Sequence, residues 1–304
     1  MCFLFDSFEG WKTYSQTHQI PLYQAVLEYE ITQKGASESD IWSGLSQAYQ
    51  VMKDAVHTGL TEDMKSRSGM IDNGAKKVAN SDITVLSPEF KQLIASALGA
   101  KEVNSCMGRV VAAPTAGASG ILPGVFTTLQ SIHQLEDQKI YEALLLGAGV
   151  ALILEQKASL AGAVGGCQAE TGSAAAMASA GIVYCLGGSI DQIFNAVAIT
   201  LQCMLGLVCD PVAGLVEIPC VVRNASAAAI ANSSAQIALS HVSSVIPVDE
   251  CAEAMGEVGE SMEARYKETA LGGLAATKTG QALAKRILIQ DIEIMDQSES
   301  TEDN

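Results

Sequence analysis

The chain has 304 residues and a formal net charge of −16 at pH 7, because 34 acidic residues outnumber 18 basic ones. An acidic surface of this kind repels the phosphates of DNA and RNA, which argues against a nucleic-acid partner. Hydrophobic residues make up 48% of the chain and charged residues 17%, and this balance predicts extensive buried helix or a large subunit interface.

The first residues, MCFLFDSFEGW, bear on the compartment. They contain Asp6 and Glu9 but no basic residue, so they lack the basic start of a secretory signal peptide. We therefore expect a cytoplasmic protein whose eight cysteines are reduced. Reduced thiols favour metal ligation over disulfides.

Three long runs, residues 110–135, 171–190 and 224–248, contain no Asp, Glu, Lys or Arg. Their length alone would permit membrane spans. However, Gly, Ser, Asn, Gln and Pro interrupt them, and neither aromatic belts nor basic clusters flank them. We interpret them as buried helices, with a membrane-embedded protein as the alternative. The predicted fold is all-α: a single large domain of packed, mostly buried helices with Gly-rich loops at the active site.

Apolar residues at helical spacing, together with capping residues, predict helices along the chain. Ser37 and Ser87 are N-cap candidates, and Gly59 and Gly99 are expected to close the helices that these serines begin. A helix is also expected to begin near 119–121. The other predicted helices span residues 20–33, 139–160, 173–180, 191–207, 225–242 and 274–288.

The predicted domain covers residues 1–290. The remaining residues, 291–304, contain six acids and no base, so we expect a separate, disordered acidic tail. Cys185 and Cys203 fall inside apolar helical runs and are expected in the core.

Three other cysteines lie in Gly- and Ala-rich sequence: Cys167, Cys209 and Cys220. Three thiolates without a nearby fourth suggest a metal site with one open position, and thiolates suit iron–sulfur clusters and zinc. The paired C-x-x-C spacing of zinc motifs is absent. The alternative is that all three are buried cysteines that pack as small hydrophobic side chains.

A second candidate site is the stretch GRVVAAPTAGASGILPG at 108–124. Its glycines allow close approach of a ligand to the backbone, and a helix that begins here would direct free N–H groups at an anion. A substrate carboxylate is the expected ligand, with a tight turn between buried elements as the alternative. The candidate substrate-binding residues are Thr115, Gly117, Ser119 and Gly120.

Four further residues are candidates for chemistry. Glu170 could orient a substrate amine or transfer a proton, or it could cap the following helix. Arg223 could bind a carboxylate or form a structural ion pair. Asn224 could donate to a ligand. Lys267 could pair with a carboxylate or act as a base if it is desolvated, or it could be an ordinary exposed lysine.

Long segments of the chain resemble the α subunit of iron–sulfur-dependent L-serine dehydratases, and the resemblance covers nearly the whole chain. It implies that Cys167, Cys209 and Cys220 bind a [4Fe–4S] cluster and that residues 1–290 form the catalytic domain of this family. The segments are SRSGMIDNGAKK (66–77), GRVVAAPTAGASGILPG (108–124), GAVGGCQAETGSAAAMASAG (162–181), CDPVAGLVEIPCVVRNA (209–225) and RYKETALGGLAATKTG (265–280).

The resemblance also implies a reaction and a partner. In this family L-serine loses water, and hydrolysis of the resulting enamine releases ammonia and gives pyruvate, a step of amino-acid catabolism that feeds gluconeogenesis. The open iron acts as a Lewis acid on the hydroxyl. The split form of the enzyme has a separate β subunit with a histidine-bearing motif, so we expect a heterodimer. The general base is not evident in this chain. One-chain members end in a cysteine that can occupy the fourth iron, and here only Cys251 could take that place.

Two alternatives remain at this stage. The chain could be a related iron–sulfur lyase that acts on cysteine or on a hydroxy acid. It could also be a non-catalytic iron–sulfur binding subunit that stores or senses iron.

Overall fold

The computed structural model describes residues 5–302, with side chains up to residue 290. Over this part of the chain the fold is all-α, as predicted: thirteen α-helices are packed into one domain, without a β-strand. The helices are α1 Phe8–His18, α2 Leu22–Lys34, α3 Glu38–Thr61, α4 Gly74–Ala79, α5 Pro88–Ser105, α6 Ile121–His133, α7 Asp137–Lys157, α8 Gly162–Gly165, α9 Ser173–Cys185, α10 Ile190–Met204, α11 Cys220–Leu239, α12 Val248–Ser261 and α13 Lys278–Glu302.

The central element is α9, which is buried along almost its whole length and packs against α6, α7, α10 and α11. Its sequence, SAAAMASAGIVYC, consists mainly of small residues, which allow neighbouring helices to approach closely. At Gly181, for example, an added Cβ would lie 2.5 Å from the ring of Phe126 on α6. Burial on all sides explains why this helix shows no polar face.

Several predicted helix starts are confirmed. The hydroxyl of Ser37 accepts from the backbone N–H of Asp40 at the start of α3, and that of Ser87 accepts from Phe90 at the start of α5. These side chains satisfy N–H groups that have no partner within the helix. The helix that was expected to begin near 119–121 is α6, which begins at Ile121 within the Gly-rich stretch 108–124.

The predicted ends of α3 and α5 were wrong. Both helices continue past the glycines, α3 to Thr61 and α5 to Ser105. Gly59 and Gly99 instead face each other where the two helices cross. A Cβ at Gly59 would lie 2.3 Å from backbone atoms of Gly99, so the crossing requires a residue without a side chain.

Neither α1 nor α12 had a counterpart in the sequence prediction. They are joined by Asp249 of α12, whose two carboxylate oxygens accept from the backbone N–H groups of Phe8 and Glu9, each at 3.0 Å. A carboxylate is favourable at a helix N-terminus because of the unpaired N–H groups and the helix dipole. This contact fixes α1 against the C-terminal half of the domain.

Three other predictions concern particular segments. Cys185 is buried, as expected, but Cys203 is exposed because it lies on the outward face of α10. The helix predicted over 274–288 is α13, which continues to Glu302, so the backbone of residues 291–302 is helical. The domain boundary at 290 stays a prediction, and residues 303–304 lie outside the described part. No helix within the described residues is long and apolar enough to cross a bilayer.

Candidate active site

The three cysteines lie at the junctions between helices. Cys167 follows the short helix α8 and precedes a single π-helical turn, Gln168–Gly172, that leads into α9. Cys209 lies in the connection after α10, and Cys220 is the first residue of α11. All three are free and buried, with exposed fractions of 4%, 4% and 8%.

The charges of these three buried thiols act on one another. Burial raises the pKa of Cys209, and the negative charge of Cys167 is the next largest effect in the same direction. Burial likewise raises the pKa of Cys220 to about 12, and Cys167 again contributes. Charge–charge effects weaken with distance. The three thiols are therefore close enough for their charges to act on one another, although 42 and 11 residues separate them in sequence.

Local hydrogen bonds fix Cys167. Gly166 has φ +76°, a conformation that favours glycine, and it turns the chain between α8 and the π-helical turn. Thr171 Oγ1 donates to the carbonyl of Cys167 at 2.7 Å, so the thiol is the donor of the second bond between these residues. Single π-helical turns are frequent at functional sites. Here the turn lets one residue contact both the backbone and the sulfur of Cys167.

Cys209 is held by a short backbone pairing with the segment after α12. Its N–H donates to the carbonyl of Tyr266 at 2.8 Å, and its own carbonyl accepts from the N–H of Glu268 at 2.9 Å. This pairing brings Lys267 and Glu268 to the cysteine. The Lys267 side chain is half-buried, and among the described residues its ammonium makes no hydrogen bond or ion pair.

The loop before Cys220 is anchored through Glu217. This buried carboxylate accepts from the hydroxyls of Ser66 at 2.7 Å and Ser68 at 2.5 Å. Arg286 of α13 donates to the carbonyl of Ser68 at 2.9 Å. The loop at 66–68 therefore connects α13 to the segment that presents Cys220.

Glu170 lies between the two candidate stretches. The hydroxyl of Thr115 donates to its Oε1 at 2.6 Å. Gly117 and Gly162 enclose the same carboxylate, since a Cβ at either position would lie within 3.0 Å of one of its oxygens. Burial raises the pKa of Glu170. The glycine-rich loop and the cysteine site thus meet at a carboxyl group that is predisposed to hold a proton.

A carboxylate pair also lies beside Cys209. Oxygen atoms of Glu170 and Glu268 and the sulfur of Cys209 all lie within 4.8 Å of one another, a spacing that a single metal ion could bridge. Glu268 is exposed and has φ +63°.

Other predicted substrate-binding residues make contacts within the protein. Arg223 forms an ion pair with the buried Asp210 at 2.8 Å and donates to the carbonyl of Val208, which favours the structural alternative for this residue. Asn224 donates to the carbonyls of Gly117 and Cys220 and accepts from the N–H of Gly120. Asn224 thereby ties the glycine-rich loop to the start of α11.

The remaining loop residues lie beneath the surface. Ser119 is fully buried, and Gly120 packs so closely that a Cβ there would lie 2.3 Å from the carbonyl oxygen of Ala97. These two residues shape the loop from inside, whereas Thr115 and Gly117 contact Glu170. Cys251 lies in α12, where its thiol donates to the carbonyl of Ile246.

Lys101 is a site residue that sequence reasoning missed. It is fully buried on α5, and burial lowers its pKa to about 8. The negative charges of Cys220 and Glu170 act on it in the opposite direction. Its position four residues after Ala97 places it on the apolar face of the helix. A lysine at a core-facing position was the signal that could have identified it.

Comparison with known proteins gives the class to which this fold and site belong. The family model of the serine dehydratase alpha chain matches residues 17–275, and the chain belongs to this family. The match lies within the predicted domain 1–290.

Curated relatives agree with this assignment. The chain is 42% identical over 272 residues to the L-serine dehydratase alpha chain of Peptoniphilus asaccharolyticus, with 88% of this chain and 93% of the relative covered. It is 42% identical over 264 residues to the probable L-serine dehydratase alpha chain of Bacillus subtilis, with 86% and 87% covered. It is 38% identical over 246 residues to an L-serine dehydratase of Streptomyces coelicolor, with 78% of this chain but only 54% of that protein covered.

Proposed function

We propose that this chain is the α subunit of an L-serine dehydratase that forms pyruvate and ammonia from L-serine and holds a [4Fe–4S] cluster on Cys167, Cys209 and Cys220. The proposal is supported by three buried cysteines whose charges act on one another, by the closeness of Glu170 to Cys209, and by membership of the serine dehydratase alpha chain family. The reaction is a lyase reaction that removes water from L-serine, after which hydrolysis of the product releases ammonia.

The donor set fits the proposed cluster. Thiolates are the usual ligands of iron–sulfur clusters. Gly162 packs directly against the site, because a Cβ there would lie 3.3 Å from the sulfur of Cys209 and 2.7 Å from Glu170 Oε2. Metal binding requires the thiols to lose their protons, and their raised pKa values oppose this in the metal-free protein.

When bound, the cluster would supply a Lewis acid that makes the β-hydroxyl of serine a better leaving group. The chain's own residues would then orient the substrate and manage protons. Thr115 and Gly117 are the candidate contacts for the substrate carboxylate, with Lys267 as a further cation. Glu170, whose pKa is raised by burial, is the candidate acid–base group at the substrate amine or at the leaving hydroxyl.

The removal of the α-proton and the departure of water leave an enamine. This product tautomerises and hydrolyses in water to pyruvate and ammonia without further help from the protein. Such a reaction belongs to amino-acid catabolism in the cytoplasm and supplies a precursor for gluconeogenesis.

A β subunit is the proposed partner. The chain spans about half the length of the Streptomyces coelicolor relative, which is named simply an L-serine dehydratase. Apolar side chains are also exposed next to the site, such as Val164, Val222 and Leu271, with exposed fractions of 54%, 53% and 73%. A second subunit that covers these side chains and brings a base would complete the heterodimer.

The test is anaerobic purification with the β subunit, followed by iron and sulfide analysis and assay of pyruvate from L-serine. Changing any of Cys167, Cys209 or Cys220 to Ala should remove the cluster and the activity. Cys185→Ala is the matched control, because Cys185 is buried in α9 away from the site. A cluster that survives Cys209→Ala would refute the ligand assignment.

The same experiment separates the alternatives. Sulfide released from cysteine, or dehydration of a hydroxy acid without ammonia, would indicate a related lyase. A cluster without turnover in the presence of the β subunit would indicate a non-catalytic subunit. The closeness of Glu170, Cys209 and Glu268 favours one further candidate, a single-metal lyase, which would show one bound ion and no acid-labile sulfide.

A further inference from the structure

Lys101 is an unusual residue for a helical core. Its side chain is fully buried, and both acceptors of its ammonium group are neutral amide oxygens: Asn104 Oδ1 and the carbonyl of Ala116. Among the described residues it forms no ion pair. A buried charge without a charged partner is costly, and it is retained in proteins when something compensates it.

The groups that act electrostatically on Lys101 belong to the cysteine site and its surroundings. In decreasing order they are Cys220, Glu170, Glu217 and Cys167. Two of these four groups are proposed cluster ligands. Hydrogen bonds link Lys101 to the same groups. Ala116, whose carbonyl accepts from Lys101, follows Thr115, which donates to Glu170, and Asn224 connects Gly120 of this loop to the carbonyl of Cys220. Thiolates that hold a cluster would therefore place negative charge near the ammonium.

The position of Lys101 is fixed by the surrounding backbone. Gly120 approaches so closely that an added Cβ would lie 2.9 Å from Cβ of Lys101. The bond to the carbonyl of Ala116 holds the ammonium under the same loop that carries Thr115. The ammonium therefore has no route to solvent in the described structure, and its charge stays close to the site.

We propose that Lys101 is the built-in counter-cation of the three-thiolate site, a positioning residue that stabilises the charged, cluster-bearing state. This inference rests on the proposed cluster. Lys101 does not contact substrate in this role, since its ammonium is engaged by Asn104 and Ala116 beneath the loop. Removal of the positive charge should weaken cluster retention and favour the oxidised over the reduced cluster.

The test uses the complete enzyme, co-expressed with the β subunit, and compares four variants with wild type. Lys101→Met and Lys101→Gln remove the charge, and the second keeps a hydrogen-bond donor. Lys101→Arg keeps the charge. Lys91→Met is the matched control on the same helix, where Lys91 donates to the carbonyl of Ser81 away from the site. Iron per chain and the midpoint potential of the cluster are measured anaerobically.

We expect Lys101→Met and Lys101→Gln to show a lower midpoint potential or a severalfold loss of iron, with Lys101→Arg and Lys91→Met close to wild type. A Lys101→Gln variant that matches wild type in both readouts would mean that hydrogen bonding, not charge, matters, and would overturn the proposal. Loss of iron in Lys101→Arg as well as Lys101→Met, with thermal stability unchanged, would also overturn it. A wild-type protein without iron would instead overturn the proposed function itself, and the role of Lys101 with it.

Discussion

Ser68 donates a hydrogen bond of 2.5 Å to Glu217 across 149 residues of sequence, and Ser66 donates to the same oxygen at 2.7 Å. Glu217 is 6% exposed and precedes Cys220 by three residues. The two hydroxyls therefore satisfy a buried carboxylate at the point where the chain turns to present a proposed cluster ligand.

The first prediction concerns this contact. Ser68→Ala should lower the free energy of unfolding by about 1.5–3 kcal/mol, because hydrogen bonds to a buried charged group are stronger than neutral ones. It should also lower the iron content of the purified enzyme, since the loop before Cys220 loses an anchor. Urea unfolding of the metal-free protein and iron analysis of the complex provide the two measurements.

Ser131→Ala is the control for this prediction. Ser131 is an exposed helical serine of α6, and its substitution should change the free energy of unfolding by no more than about 0.5 kcal/mol. Equal effects of the two substitutions would show that the Glu217 contact contributes little to stability.

The second prediction concerns the crossing of α3 and α5. Gly59→Ala should destabilise the protein by about 1–3 kcal/mol, although alanine is the better helix former, because its Cβ would lie 2.3 Å from the backbone of Gly99. Gly44→Ala in the same helix should instead stabilise by up to about 1 kcal/mol, since no atom lies within 4 Å of the added Cβ. Thermal unfolding of both variants tests the opposite signs. A stabilising Gly59→Ala would contradict the described helix crossing.

These glycines also show what sequence reasoning could and could not reach in the fold. The starts of α3 and α5 depend on a serine and an N–H group three residues away, so the local sequence was sufficient. The ends were misassigned because a glycine that closes a helix and a glycine that permits a helix crossing look alike in one segment. The difference depends on a partner 40 residues away, which periodicity does not reveal.

The candidate site likewise contains residues that sequence reasoning identified and residues that it missed. Residue-level reasoning singled out Glu170 and Thr115, and the structure brings these two into contact. The sequence could not decide between the two roles considered for Arg223, because the ion pair with Asp210 depends on how a loop returns to α11. Lys101 and Glu217 were missed for a related reason. Each has a role only through groups that are distant in sequence.

The third prediction concerns Glu170. Glu170→Gln should lower kcat by about 10²- to 10⁴-fold, the usual contribution of a general acid or base, while the cluster is retained. The amide can still accept from Thr115, so the local structure should persist. Iron analysis and pyruvate formation are measured on the same sample. Glu155→Gln, at an exposed position of α7, is the control and should leave both values unchanged. Full activity of Glu170→Gln would exclude a proton-transfer role.

The fourth prediction concerns the pH dependence of stability in the metal-free protein. Burial lowers the pKa of Lys101 from 10.5 to about 8, so between these values the unfolded chain holds a proton that the folded chain has lost. Lys101 therefore makes the free energy of unfolding rise as the pH rises from 8 to 10.5. Below pH 8 the group is protonated in both the folded and the unfolded state, so this gain in stability is absent.

Comparison with Lys101→Met tests this sign at each pH, because most titrating groups are common to both proteins. The difference between the free energies of unfolding of wild type and Lys101→Met should increase by on the order of 3 kcal/mol between pH 8 and 10.5. This value follows from the size of the shift in the pKa of Lys101. Urea unfolding at several pH values supplies the measurement. A difference that stays constant over this range would show that Lys101 keeps an ordinary pKa in the folded state and that burial does not disfavour its charge. A difference that shrinks would mean that nearby thiolates already hold the ammonium charged in the metal-free protein.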